Sequence, residues 1–284
     1  MGVTDCHVHI NPLWEMRPDA VRMLSRVDPK NARYLEDPKA FLEYLDACGI
    51  ERAVLINYVA PEVIGYTEKA NDFVSAYVRT DPDRLIAVGG IRPDHPSPEP
   101  EIRRLIGALG IRALKLHPPH QLFAPNAYAS GGNPELKELY AACERERLPV
   151  IFHTGTSVFP RARNKFSDPV LVEDVALDFP DLTIVLAHGG RPIWMETAVF
   201  LARRFPNVWL EVSGIPPAQL LEYFPKLARL SDKVIFGTDW PGPGVKDIRA
   251  NLEAFRSLPI PADAQRAILE TNPRKVFPDR PPGA

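Results

Sequence analysis

Eight short apolar runs, each followed by an amphipathic helical stretch, constrain this chain more than any other feature. A strand buried on both faces of a parallel sheet reads as a nearly continuous apolar run. Such runs occur at 2–10 (GVTDCHVHI), 52–58 (RAVLINY), 85–91 (LIAVGGI), 111–117 (IRALKLH), 149–155 (PVIFHTG), 182–190 (LTIVLAHGG), 208–214 (VWLEVSG) and 233–239 (KVIFGTD). Helical periodicity fills the intervals at 37–49, 66–80, 97–110, 133–147, 167–180, 191–205, 216–230 and 246–258, with a last helix at 262–277 packing on the outside. In the first of these, Phe41, Leu42, Leu45 and Cys48 share a face and Gly49 is the stop signal. Eight strand–helix pairs in 284 residues predict an α/β fold, a (β/α)8 barrel spanning residues 1–284 as one domain. The alternative is an open doubly wound sheet. No G-x-G-x-x-G follows the first strand, and PGPGVK (241–246) has the wrong spacing for a phosphate loop.

Composition narrows the class. The chain is 45% hydrophobic and 25% charged, ordinary for a soluble protein. Its formal net charge of −2, without a basic block, argues against nucleic acid or an anionic membrane as partner. No apolar run approaches a membrane span, and the chain opens directly into a strand rather than a signal sequence. Three scattered cysteines, Cys6, Cys48 and Cys143, fit reduced thiols, so a cytoplasmic location is expected. The 31 prolines, about twice the usual ~5%, fall mainly between periodic segments as punctuation. Residues 11–36 form a long first connection of the kind that often serves as a binding loop.

In a barrel of this kind chemistry gathers at the C-terminal ends of the strands. Strand 1 ends in His7 and His9, strand 4 in His117 with Lys115 two residues earlier, strand 5 in His153, strand 6 in His188 and strand 8 in Asp239. Five of seven histidines therefore terminate strands, leaving only His95 and His120 elsewhere. Strict alternation puts Asp5, His7 and His9 on one face of strand 1, with Cys6, Val8 and Ile10 on the other. Two imidazoles so placed can grip one metal ion, although a lone strand-end histidine is more often a satisfied structural group.

These segments carry a resemblance. DCHVH, FHTG, LAHGG and FGTDWP, in that order on strands 1, 5, 6 and 8, resemble the amidohydrolase superfamily, and within it the amidohydrolase-2 branch of aminocarboxymuconate-semialdehyde decarboxylase-like hydrolases and decarboxylases. The resemblance covers nearly the whole chain and implies a TIM barrel of the metallo-dependent hydrolase type. It implies that His7, His9, His153 and Asp239 are metal ligands. His188 and Asp239 are implied to be catalytic, managing the protons of an activated water. One divalent ion is expected, Zn2+ first, with Mn2+, Fe2+ or Co2+ as alternatives. Asp5 is expected to orient a histidine or close the barrel floor. Binuclear members of the superfamily carry a carboxylated lysine on strand 4, which makes Lys115 an alternative bridging ligand. A substrate contact or a buried ion pair is the reading preferred for it, with His117 as a second contact.

Arg161 and Arg163 after strand 5 and Arg191 after strand 6 suit a substrate carboxylate, since a guanidinium binds it at two points. Arg17, Arg22 and Arg26 in the first loop are weaker candidates. Trp14 and Trp240 are expected as pocket walls, Trp194 and Trp209 as core. The expected activity is hydrolysis of a lactone, ester or amide in a small, carboxylated substrate. The alternatives are metal-dependent, non-oxidative decarboxylation of an aromatic or unsaturated acid, and a metal-binding barrel without catalysis. The expected partners are a small molecule and, for this branch, a second copy of the chain. A G-x-S-x-G elbow is absent.

Overall fold

The computed structural model describes residues 2–23, 31–242, 245 and 247–279. Eight parallel strands pair in chain order: β1 (Val3–Val8), β2 (Ile50–Ile56), β3 (Leu85–Gly89), β4 (Ala113–Leu116), β5 (Val150–His153), β6 (Ile184–Ala187), β7 (Val208–Glu211) and β8 (Val234–Ile235). The ring closes between β8 and β1. The Cys6 amide donates to Phe236 O at 2.9 Å, the Asp239 amide to His7 O at 2.8 Å, and the His9 amide to Trp240 O at 2.7 Å. The α/β barrel expected from the alternation is the observed fold.

Strand ends are shorter than the apolar runs that announce them. β8 keeps two ladder residues because the chain bends at Gly237–Asp239 toward the site. β6 stops at Ala187, and His188–Gly190 form a tight turn. The long helices match their periodicity: Pro38–Cys48 is capped by Asp37, whose carboxylate accepts from the Lys39 and Ala40 amides, and is ended by Gly49 at φ +75°. The stretch 216–230 is not one helix. Pro225 interrupts it, leaving a single turn at Leu220–Tyr223 between 3-10 segments. The stretch 167–180 likewise divides at Val172.

Two apolar layers hold the barrel. The outer one packs the strands' outward residues, among them Val8, Leu55, Leu116, Phe152 and Leu210, against the helices. The inner one comprises residues such as Cys6, Val54, Ile86, Val88, Ile151 and Val185. The last helical segment corrects its expected position. Val276 and Phe277 belong to the inner cluster, and Arg52 at the start of β2 donates to Phe277 O at 2.7 Å. The chain's end therefore plugs the N-terminal mouth, and polar residues gather at the other. No helix among the described residues is long and apolar enough to cross a membrane.

Candidate metal centre and active site

β1 carries two residues of the site because it is not regular. Asp5 pairs with Ala53 and Val8 with Leu55, so three steps on β1 face two on β2. This bulge corrects the strict alternation: Cys6 turns into the apolar barrel interior and His7 follows it into the site, while Val8 and Ile10 face the outer core. The Asp5 side chain is engaged by backbone and by Thr238. Its carboxylate accepts from the His7 amide at 3.2 Å, the Thr238 amide at 2.9 Å and the Thr238 hydroxyl at 2.7 Å. Burial pushes its pKa up to about 7 against the pull of the Thr238 bonds. It ties β1 to the segment after β8 and so fixes His7 relative to Asp239.

Three donor atoms of the expected metal set converge. His9 Nε2 lies 3.1 Å and His7 Nε2 3.6 Å from Asp239 Oδ1, and these ligand atoms all fall within 4.8 Å of one another. His153 stands outside that tight group. Its ring centroid is 4.7 Å from that of His188 and 3.9 Å from that of His117, on which it stacks. His7 Nε2 and His153 Nε2 are buried without a hydrogen-bond partner among the described residues, a costly state unless something else binds them. Burial, then the Lys115 charge, holds both imidazoles well below the ordinary histidine range, hence neutral and able to ligate. Burial alone would raise Asp239, but its bond to His9 and the surrounding positive groups bring it down to about 2, an ionised carboxylate. Neutral imidazoles and a carboxylate suit Zn2+ or a similar divalent ion.

His188 and Asp239 have left-handed backbones, φ +65° and +69°. Such conformations cost of order 1–3 kcal/mol in non-glycine residues and cluster at functional sites. His188 Nδ1 is held by Ser213, 2.9 Å from Oγ and 3.3 Å from the carbonyl oxygen. Behind both His7 and His188 lies Glu211, whose Oε2 is 2.8 Å from His7 Nδ1 and 2.8 Å from Ser213 Oγ. Gly237 leaves room for this pair, since a Cβ there would fall 2.6 Å from Glu211 Oε1 and 2.7 Å from His7 Cβ. Glu211 was not among the expected site residues. Its signal is a carboxylate at the end of the apolar run VWLE, the same position that marks the histidines on other strands.

Lys115 is buried on β4, lines the cavity, and its amine has no hydrogen-bond partner among the described residues. Burial pushes that amine down in pKa and the nearby Glu211 carboxyl up. His117 is sandwiched between His153 and His120, whose centroid is 3.5 Å away. His120, left aside by the strand-end pattern, is in the site after all. Its ring nitrogens contact the Tyr58 hydroxyl at 3.1 Å and Ser157 Oγ at 2.7 Å. Arg191 lines the cavity, donates to Gly214 O at 2.8 Å and Thr156 O at 3.2 Å, and approaches Asp239 Oδ2 at 3.7 Å.

Other residues fall elsewhere. Arg161 is paired with Asp19 at 2.9 Å, and Arg163 is exposed, so neither lines the cavity. Arg17 also meets Asp19, at 3.4 Å, Arg22 reaches the cavity lining, and Arg26 lies outside the described residues. Trp240 is no pocket wall: it is fully buried, stacked on Phe41 at 5.7 Å, while Trp14 is 71% exposed and meets Phe73 edge-on. Trp194 and Trp209 are half-buried, and Trp209 packs against the inner cluster as expected, with Lys233 over its ring. The cavity above the histidines measures about 730 Å3, of a size for a small organic ligand, with a polar floor and walls from Leu13, Met16, Leu35, Ile64, Tyr66 and Phe159.

The family model Amidohydro_2, described as Amidohydrolase, matches residues 4–278. The chain belongs to the amidohydrolase family. Among solved structures it is similar to the uncharacterized TIM-barrel protein Bb4693 of Bordetella bronchiseptica, with 27% identity over 97% of this chain and 98% of that one and a TM-score of 0.74. It shares its fold with 5-carboxyvanillate decarboxylase LigW of Sphingomonas paucimobilis, at 17% identity, TM-score 0.69, and coverage of 98% and 99%. The same holds for dihydroorotase of Campylobacter jejuni, at 16% identity, TM-score 0.62, and coverage of 99% and 84%. No curated protein matches. An amidohydrolase of this type is a metal-dependent enzyme, and the His7, His9 and Asp239 cluster is its candidate metal site.

Proposed function

We propose that this amidohydrolase is a mononuclear hydrolase that adds water to the carbonyl carbon of a lactone, ester or amide in a small, carboxylated substrate. The observation that carries the reading is the convergence of His7 Nε2, His9 Nε2 and Asp239 Oδ1 around one point, with buried ring nitrogens that have no other partner among the described residues. His7, His9, His153 and Asp239 would hold the ion. When bound, it supplies Lewis acidity and brings the pKa of a water toward neutrality. Asp239, ionised and directed at the same point, accepts the proton lost by the attacking water. His188 offers Nε2 on the cavity side as an acceptor for a hydrogen of that water, because Nδ1 is occupied by Ser213. Arg191, anchored by two backbone carbonyls, and the unpartnered Lys115 amine place positive charge where a substrate carboxylate would sit. His117 is within reach of the same floor.

A second reading, loss of CO2 from an aromatic or unsaturated acid, is favoured by the apolar walls of the cavity. A dry pocket replaces the hydration shell of a carboxylate, which aids its departure as neutral CO2. LigW, which shares the fold, is named as such a decarboxylase.

Elemental analysis of protein purified without added metal tests the site first. About one equivalent per chain is the expected result. Near two equivalents would make Lys115 a bridging ligand, and a ratio near zero that added Zn2+ or Mn2+ could not raise would sink the assignment. His7→Ala and Asp239→Ala are each expected to lose the ion, and retention of full metal content in both would remove them from the ligand set. Screening lactones and aromatic carboxylates in 18O-labelled water separates the chemistries: hydrolysis puts the label in the product acid, decarboxylation releases CO2.

A further inference from the structure

We infer that Glu211 is the shared positioning residue of this site, one carboxylate that fixes the proton positions of both His7 and His188. The hydrogen bonds determine the direction of each proton. The Ser213 carbonyl oxygen, 3.3 Å from His188 Nδ1, can only accept, so His188 carries its proton on Nδ1. That proton also faces Ser213 Oγ at 2.9 Å, so the Ser213 hydroxyl turns its own hydrogen to Glu211 Oε2 at 2.8 Å. Glu211 Oε1 accepts the Ser213 amide at 2.5 Å. Glu211 Oε2 then takes a second hydrogen from His7 Nδ1, at 2.8 Å. Both imidazoles are left with Nε2 unprotonated. For His7 this is the buried nitrogen without a partner, beside Asp239.

The group is built rather than incidental. His7, His188, Glu211 and Ser213 are all buried, at 2% exposure or less, and they come from three separate parts of the ring: β1, the turn after β6, and the end of β7 with the residues just beyond it. A carboxylate behind an imidazole fixes its tautomer and raises its basicity as a ligand. Here one carboxylate does so for a ligand and, through a serine, for the histidine assigned to proton handling. Glutamine cannot reproduce this. The Ser213 amide would keep the glutamine oxygen at the Oε1 position, placing the NH2 group against His7 Nδ1 and Ser213 Oγ. His7 would then have to move its proton to Nε2.

The test is long-range 1H–15N correlation spectroscopy of the imidazoles in metal-free, histidine-labelled protein, with Zn2+ affinity measured by chelator competition. In the wild type, His7 and His188 are both expected as Nδ1–H tautomers. Glu211→Gln is expected to shift His7 to Nε2–H and weaken Zn2+ binding by about 10–100-fold with an unchanged circular dichroism spectrum. Ser213→Ala removes the 2.9 Å hydroxyl contact and leaves only the longer 3.3 Å backbone carbonyl, so His188 alone should become a mixture of tautomers while His7 stays Nδ1–H and Zn2+ affinity stays near wild type. A wild-type Nε2–H tautomer at either histidine overturns the inference, as does a folded Glu211→Gln with wild-type tautomers and affinity. If Glu211→Gln does not fold, the wild-type spectrum and Ser213→Ala decide. Only the affinity arm rests on His7 being an ion ligand. A protein that binds no Zn2+ but shows both Nδ1–H tautomers would refute the metal reading and uphold the role of Glu211.

Discussion

His188 and Asp239 belong to a site in which some polar atoms have fixed partners and others, His7 Nε2 and His153 Nε2 among them, have none among the described residues. His188 is tied by Nδ1 to Ser213, so any work it does passes through Nε2. Asparagine in its place keeps a polar group of similar reach but cannot take up and return a proton. His188→Asn is therefore expected to retain the metal and lose turnover by about 10²–10⁴-fold, the usual range for a positioned acid or base. Metal content and kcat on the substrate found by screening check this, and a variant that keeps both would remove His188 from the chemistry. The strand-end pattern made His7, His9, His117, His153, His188 and Asp239 legible in the chain because apolar strands have few reasons to end in such groups. Glu211 follows the same rule and was open to the same reading. Arg161 was not legible: a guanidinium in a loop looks alike whether it meets a substrate or, as here, Asp19.

At the scale of elements, alternation of apolar runs and helical faces was enough to predict eight strands and the barrel. Boundaries were less legible where a proline or a bulge intervened. The β1 bulge breaks the period of two that placed Asp5 beside His7, and Pro225 breaks a stretch whose apolar spacing alone reads as helix. The last helical segment was placed outside because its faces are amphipathic, yet Val276 and Phe277 close the barrel from below. Only the three-dimensional closure of the sheet reveals that this mouth needs a plug. Phe277 is fully buried, so Phe277→Ala leaves a cavity and is expected to cost about 3–5 kcal/mol of stability. Denaturant unfolding measures this. Metal content should not change, because the plug and the candidate ligands lie at opposite ends of the barrel. A loss of metal without a loss of stability would show that the two ends are not separate.

For the whole molecule, the candidate ligands matter because they join distant parts of the ring. His7 lies on the first strand and His9 just beyond it, His153 ends the fifth and Asp239 follows the eighth, so an ion held by them crosslinks the seam where the barrel closes. A ligand that binds only the folded ring stabilises it by mass action, by about 2.7 kcal/mol at a free concentration one hundred times its dissociation constant. For a chain of this size each kcal/mol moves the unfolding midpoint by roughly 2–4 °C. Removing metal with a chelator should therefore lower the midpoint by roughly 5–10 °C under those conditions, and restoring Zn2+ should recover it. Asp239→Ala is expected to melt at one temperature with or without chelator, since it lacks the carboxylate that the ion needs. Equal responses from the wild type and Asp239→Ala would place the stabilising ion elsewhere. In that case the orphaned nitrogens of His7 and His153 would need another partner, with the substrate's own polar groups the nearest that the cavity could offer.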